Sequence, residues 1–211
     1  MRAHRAFRQL NTLLNRAGMN VLRFDYSCTG DSAGASEDSS VEAWLDDTDW
    51  AIDELKDNAM ADDIIVVGLR MGAILGTLAA AKRDDVAHVL LWDPIVSGRA
   101  YLDEALGTPR PSSLAGVEGF PISPSLQKEI DELDLMQPVA DLAPTSLSVM
   151  VSEEDAIYEE MANAQRVDGV DVRFDHVPSE GNWAQADPFG DALIPQQIIQ
   201  SMVERLKTLK I

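Results

Sequence analysis

Apolar residues in this chain fall into short continuous runs that alternate with longer stretches in which they recur every three or four positions. That is the pattern of strands alternating with amphipathic helices. Phe7, Leu10, Leu13 and Leu14 predict a helix over about residues 3–17, closed by Gly18. Val21 to Tyr26 (VLRFDY) predicts a strand, followed by a polar loop that runs to Ser40. Ser39 and Glu42 are spaced as a capping box for a helix whose inner stripe is Val41, Trp44, Leu45, Thr48, Ile52 and Leu55. Ile64 to Val67 reads as a buried parallel strand, Gly68 to Gly72 as a tight turn, and the apolar small-residue stretch to Ala81 as a helix. AHVLLW (87–92) is another buried strand, closed by Asp93-Pro94. Residues 98–140 break the alternation. Gly, Pro and Ser cluster at 107–125 and a helix pattern follows at 124–134, so this stretch is expected to be an insertion or cap over the C-terminal edge of the sheet. TSLSVMV (145–151), a helix to about Val167, the strand VDVRFDHV (170–177) and a last helix with Ile194, Ile198, Ile199, Met202, Leu206 and Leu209 inward complete the chain.

Strands alternating with helices imply right-handed βαβ units and therefore a mostly parallel sheet flanked by helices, an α/β fold. At 211 residues the chain is expected to be one domain, 1–211, with the 98–140 cap inside it.

Composition narrows the partners. The formal net charge of −19 opposes nucleic acid and anionic lipid, both of which are polyanions. Asp exceeds Glu and the acidic positions are spread along the chain, which suits a solvated surface; adaptation to high salt and ordinary acidity both fit. No apolar run approaches the roughly 18 residues of a membrane span, and the N-terminus lacks the apolar core of a secretory signal. The single cysteine, Cys28, excludes an internal disulfide and a cysteine-based zinc site. A cytoplasmic protein without cofactor or metal is the expectation.

The chemistry centres on IIVVGLRMGA (64–73), a strand–turn–helix with the layout of a nucleophile elbow. The turn is sharp enough that side chains two positions either side of its apex would meet neighbouring backbone, which accounts for Gly68 and Gly72. The apex is Arg70. A guanidinium stays protonated and offers no lone pair, so it cannot attack a carbonyl.

LNRAGMNVLRFDYSCTGDSAG (13–34), the elbow and VLLWDPIVSGRAYL (89–102) together resemble the α/β-hydrolase superfamily in its serine-aminopeptidase-like branch. Within that branch the chain is similar to the hydrolase-like proteins encoded beside exosortase clusters, which also carry Arg at the elbow apex; GFPISPSLQKEIDELDL (119–135) fits their cap. The loop position held by Cys28 is usually Gly there. The resemblance covers nearly the whole chain and differs from it in two ways. About three further strands normally precede the helix that opens this chain, the third of them in mid-sheet. A sheet without them exposes an edge through which copies could associate, or the chain is a truncated one. The triad is also depleted. The resemblance places the acid at Glu153, Glu154 or Asp155, with Asp155 the best match. It places the histidine in the loop 178–192, which has none; Trp183 stands near that position. His4, His88 and His176 lie elsewhere, and Ser27, Ser32 and Ser97 are not on an elbow.

Arg70 has two readings. It stands at a helix N-terminus, where it could grip a carboxylate, a phosphate or an acyl group; alternatively it pairs with Asp93 or Asp155 and holds the site shut. If chemistry survives, Arg70 would stabilise an oxyanion with the Met71 amide while Asp155 orients a proton acceptor. Asp93 and Arg99 would line the ligand site, Arg99 at its mouth or else packed in the cap. The functional expectation is an ester or thioester hydrolase or acyl transferase with a degraded triad. The alternatives are a non-catalytic protein of the same fold binding a small acyl or anionic ligand, and a fragment.

Overall fold

The computed structural model describes residues 2–117, 120–142, 146–167, 169–179, 183 and 194–209. In chain order the elements are helix α1 (Arg2–Arg16), a 3-10 turn (Ser36–Asp38), α2 (Val41–Ala59), strand β1 (Ile64–Leu69), α3 (Met71–Ala80), β2 (Val86–Trp92) and α4 (Gly98–Leu106). Then come the short strands β3 (Ala115–Val117) and β4 (Phe120–Ile122), α5 (Pro124–Asp131), β5 (Ser146–Val151), α6 (Ala156–Ala164), β6 (Val172–His176) and α7 (Gln196–Lys207).

β1, β2, β5 and β6 form a parallel sheet in that order, and β3 pairs antiparallel with β4 as a separate hairpin. Successive residues of a strand face opposite layers, and β2 shows it. Val89 and Leu91 join a core with residues of α2, α3 and α6, while Leu90 and Trp92 join a second core with residues of α1 and α7. All four are fully buried. The sheet is thus the middle of three layers, as expected for an α/β fold. Between β2 and β5, the stretch read as a cap contains α4, the β3–β4 hairpin and α5. α5 ends at Asp131, before the expected 134, because the chain turns to bond back to the start of α4: the Gly98 amide donates to the Leu133 carbonyl at 2.8 Å.

Three local expectations are corrected. The cap of α2 is Ser40, whose Oγ accepts from the Ala43 amide at 3.1 Å. The free N-terminal amide of Val41 donates to Glu129 on α5 at 2.7 Å, so a long-range carboxylate supplies what the local capping box was expected to supply. Tryptophans as a type are more often core than surface, and that expectation fails for Trp50, which lies on the outer face of α2 and is 76% exposed.

The third correction matters most. Val21–Tyr26 belongs to no strand of the described structure. Its sequence is strand-like, but a ladder needs a neighbour, and between this segment and β1 lies a cavity of about 950 Å³ that both of them line. The segment is held from its end instead: the Ser27 amide donates to Asp47 at 2.7 Å and the Trp44 indole donates to the Ser27 carbonyl at 3.3 Å. Just beyond it Cys28 has φ 60, the left-handed conformation that favours the glycine usual at that position.

Candidate functional site

β1 runs directly into α3 through Arg70, whose backbone has φ 55 and ψ −119. An L-residue at positive φ costs about 1–3 kcal/mol unless its surroundings enforce it. Here they do. The Arg70 amide donates to the Trp92 carbonyl at 3.1 Å, and the Arg70 carbonyl accepts from the Ile95 amide at 3.3 Å and from Ala73 at 3.1 Å. The turn also fixes one of the two glycines: a Cβ on Gly68 would stand 2.2 Å from the Gly72 carbonyl oxygen. At Gly72 the nearest atom to a built Cβ is the Tyr26 hydroxyl at 4.0 Å. The crowding argument therefore holds for Gly68 and not for Gly72.

Asp93 follows β2 at the same end of the sheet, buried and with φ 41. One carboxylate oxygen accepts from the Ser152 amide at 2.6 Å. The other accepts from the Ser152 hydroxyl at 2.7 Å and from the Trp183 indole Nε1 at 2.9 Å. Trp183 also packs edge-on against Trp92, with centroids 4.9 Å apart. A buried acid thus holds an aromatic N–H donor, as a triad acid holds its histidine. An indole has no basic nitrogen, so it cannot take a proton from a nucleophile.

Arg70 and Asp93 lie at adjacent strand ends, yet among the described residues Arg70 forms no ion pair with Asp93 or with Asp155. Asp93 is occupied by Ser152 and Trp183. Asp155 is exposed and caps α6, accepting from the Ile157 amide at 3.0 Å. Met71 is the first residue of α3, where backbone N–H groups have no partner within the helix. Arg99 is exposed in the first turn of α4, and its carbonyl accepts from Arg110 at 3.0 Å. The structure therefore brings Arg70, Met71 and Asp93 together, sets Asp155 at the same end in a capping role, and leaves Arg99 on the outside of α4.

Two participants were not read from the sequence. Ser152, immediately after β5, is the residue that satisfies Asp93. Tyr158, in the first turn of α6, stands within electrostatic reach of Arg70, Asp93, Asp155 and Glu153. Burial pushes its hydroxyl above the usual range, Asp93 reinforces this and Arg70 opposes it. Position alone carried the signal for both, since strand C-termini and the helix starts that follow them line the crevice of an open α/β sheet. The three histidines stay out of the site: His4 and His176 are exposed, and His88 is buried at the other end of β2, bonded to Ser146 at 2.6 Å. Ser27, Ser32 and Ser97 serve turns and caps; Ser97 accepts from the Ala100 amide and Ser32 donates to the Asp25 carbonyl. Among the described residues no cluster of His, Cys, Asp and Glu could hold a metal, and no helix is long and apolar enough to cross a membrane.

Comparison with solved structures finds the same fold in esterases and lipases. Est1E from Butyrivibrio proteoclasticus, solved with ferulic acid bound, superposes with a TM-score of 0.71 at 17% identity, over 96% of this chain and 80% of that one. The monoacylglycerol lipase of Paleococcus ferrophilus gives 0.62 at 17% identity over 95% and 88%, and VinJ gives 0.62 at 16% over 97% and 86%. At such identities the likeness is one of fold. No curated protein matches the sequence. The family model described as serine aminopeptidase, S33, matches residues 3–169, most of the chain. The protein belongs to that family of α/β-hydrolases.

Proposed function

We propose that this protein is a non-catalytic member of its family that binds a small acyl ligand through an anionic head group at Arg70. The observation that supports this reading most is the pairing pattern at the elbow. The one acid buried beside Arg70 is already satisfied by Ser152 and Trp183, which leaves the guanidinium at the start of α3 without an internal counterion among the described residues. Backbone N–H groups of a helix N-terminus favour negative charge at the same point. A guanidinium fork can take a carboxylate in bidentate fashion. The second reading, an acyl hydrolase or transferase in which Arg70 and the Met71 amide stabilise an oxyanion, draws on the esterase-like fold, which by itself says little about chemistry. It lacks a group at the elbow to attack and a base to accept the proton. The Arg apex is also what the chain shares in sequence with the proteins encoded beside exosortase clusters, and the proposal extends to that kinship.

Purified protein with a short-chain nitrophenyl ester and, separately, with octanoate in a calorimeter distinguishes the two. The expected result is ester turnover at background in both wild type and Arg70→Ala, with octanoate binding weakened at least tenfold in the variant. Turnover above background that disappears in Arg70→Ala would establish the hydrolase reading instead.

A further inference from the structure

The outer face of α2 presents an indole to solvent in a ring of carboxylates. Val41, Trp44, Thr48 and Ile52 form the buried stripe of this helix. At about 100° per residue, Trp50 falls about 180° from the middle of that stripe. Its side chain therefore points straight out of the layered structure, and it is 76% exposed. Its ring meets no other aromatic ring among the described residues. Because this face is turned away from the sheet, it stays outermost however wide the sheet beneath it is.

On a helix surface the neighbours of a residue are those three and four positions to either side. For Trp50 these are Asp46, Asp47, Asp53 and Glu54, every one an acid, and Asp57 lies two turns further along the same face. Asp46, Asp53, Glu54 and Asp57 are exposed. Cations reach the helix at one flank: Lys56 pairs with Asp85, and Arg83 joins Asp49, Asp53 and the same Asp85. Asp46, Glu54 and Asp57 take part in no ion pair among the described residues. Like charges at this spacing weaken a helix, and a cation set among them removes the repulsion.

We propose that the outer face of α2 docks an arginine-bearing segment of a partner protein, with one guanidinium stacked on the Trp50 ring and others paired with the carboxylates around it. Tryptophan is the aromatic that attracts a cation best, and a guanidinium stacks on it with its flat face while its edge stays free to bond carboxylates. Tryptophan inside a polar ring is also the composition of an interface anchor. The carboxylates exclude other occupants. Nucleic acid and anionic lipid are repelled, and a second copy, face to face, would set the same acids against each other in a chain of net charge −19. Neither Arg70 nor Asp93 lies on this face, so the proposal is independent of the ligand reading at the elbow.

The test uses the whole chain and a labelled helical peptide with arginine at every third and fourth position, beside the same peptide with lysine in place of arginine. Fluorescence anisotropy reads affinity, and the indole N–H resonances of the tryptophans read position. The arginine peptide should bind, shift the Trp50 indole resonance and leave those of Trp92 and Trp183 in place. The lysine peptide should bind at least threefold more weakly. Trp50→Ala, which unfolds at the wild-type temperature and keeps the net charge, should lose at least tenfold in affinity. Asp46→Asn should lose about threefold, whereas Glu204→Gln, the same change of charge on the exposed side of α7 across the sheet, should lose none. Absence of binding, or equal binding by Trp50→Ala, would overturn the proposal, because any remaining attraction would then answer to net charge alone. Equal losses in Asp46→Asn and Glu204→Gln would do the same. Self-association of the chain that Trp50→Ala abolishes would also overturn it, by making a second copy the occupant.

Discussion

β2 (VAHVLLW) and Val21–Tyr26 (VLRFDY) are both short strand-like runs bounded by polar turns, and they end up in opposite conditions. β2 has a paired strand on each side, and Leu90, Leu91 and Trp92 are fully buried. Val21–Tyr26 has no ladder among the described residues, its Phe24 is 42% exposed, and it borders a cavity. The difference does not lie in strand propensity, since valine, leucine and aromatics populate both. It lies in supply of neighbours: backbone N–H and C=O groups demand partners, and only β2 has them on both edges. A strand-like sequence is therefore a capacity that the rest of the sheet has to realise.

The comparison can be broken most directly by truncating one side chain from each region. Leu90→Ala should cost about 3–4 kcal/mol in urea unfolding, as a buried leucine whose surroundings cannot collapse around the cavity it leaves. Val21→Ala should cost under about 1 kcal/mol. Similar losses in the two variants would mean that Val21–Tyr26 is part of the cooperative core after all.

The lower end of β2 offers a second contrast, through pH. Burial holds the His88 imidazole down to about 4; Arg205 adds to this and Asp171 opposes it. In the unfolded chain a histidine titrates near 6.5. The unfolded state therefore takes up the proton first, and stability should fall as pH drops from about 6.5 to about 4 and level off below, by about 3 kcal/mol in total. Asp85 acts in a separate window. Arg83, opposed by burial and seconded by Lys56, keeps its carboxyl well below the usual range, so its contribution is lost only as pH falls below about 3.8. Urea midpoints across pH 7 to 4.5 should show the His88 slope in wild type and a flat line in His88→Gln. A slope that persists in the variant would assign the effect to other groups.

The smallest expected effect sits at the elbow. Arg70 holds a positive φ that glycine adopts freely. Arg70→Gly should leave stability within about 1 kcal/mol of wild type, relief of strain being offset by the freer unfolded chain. A loss well beyond that, measured calorimetrically, would show that the guanidinium makes stabilising contacts and would favour the site-shutting role considered for it.

Much of the scaffold was legible because it rests on periodicity. The apolar runs at 64–67, 87–92 and 145–151 and the helical stripes of Val41–Leu55 and Ile194–Leu209 each specify an element by local patterning, and each is found within a few residues of where it was read. The elbow was legible for a related reason: a strand, a glycine-flanked apex and a small-residue helix are contiguous in the chain, and Gly68 is needed wherever that turn is made.

The site was only half legible. The sequence alone determined that Arg70 stands at the apex, that no serine stands there and that no histidine lies in the last loop. Only the tertiary structure decided which acid is buried and hydrogen-bonded beside the elbow. Asp155 matched the expected place in the chain, but Asp93 is the acid brought against Ser152 and Trp183, residues 59 and 90 positions away in the chain. It also decided that Val21–Tyr26 would join no strand of the described sheet. Both outcomes concern contacts between distant segments. Local pattern fixes which backbone conformation a segment favours, but hydrogen-bond partners across a sheet and around a carboxylate are assigned only when the layers pack.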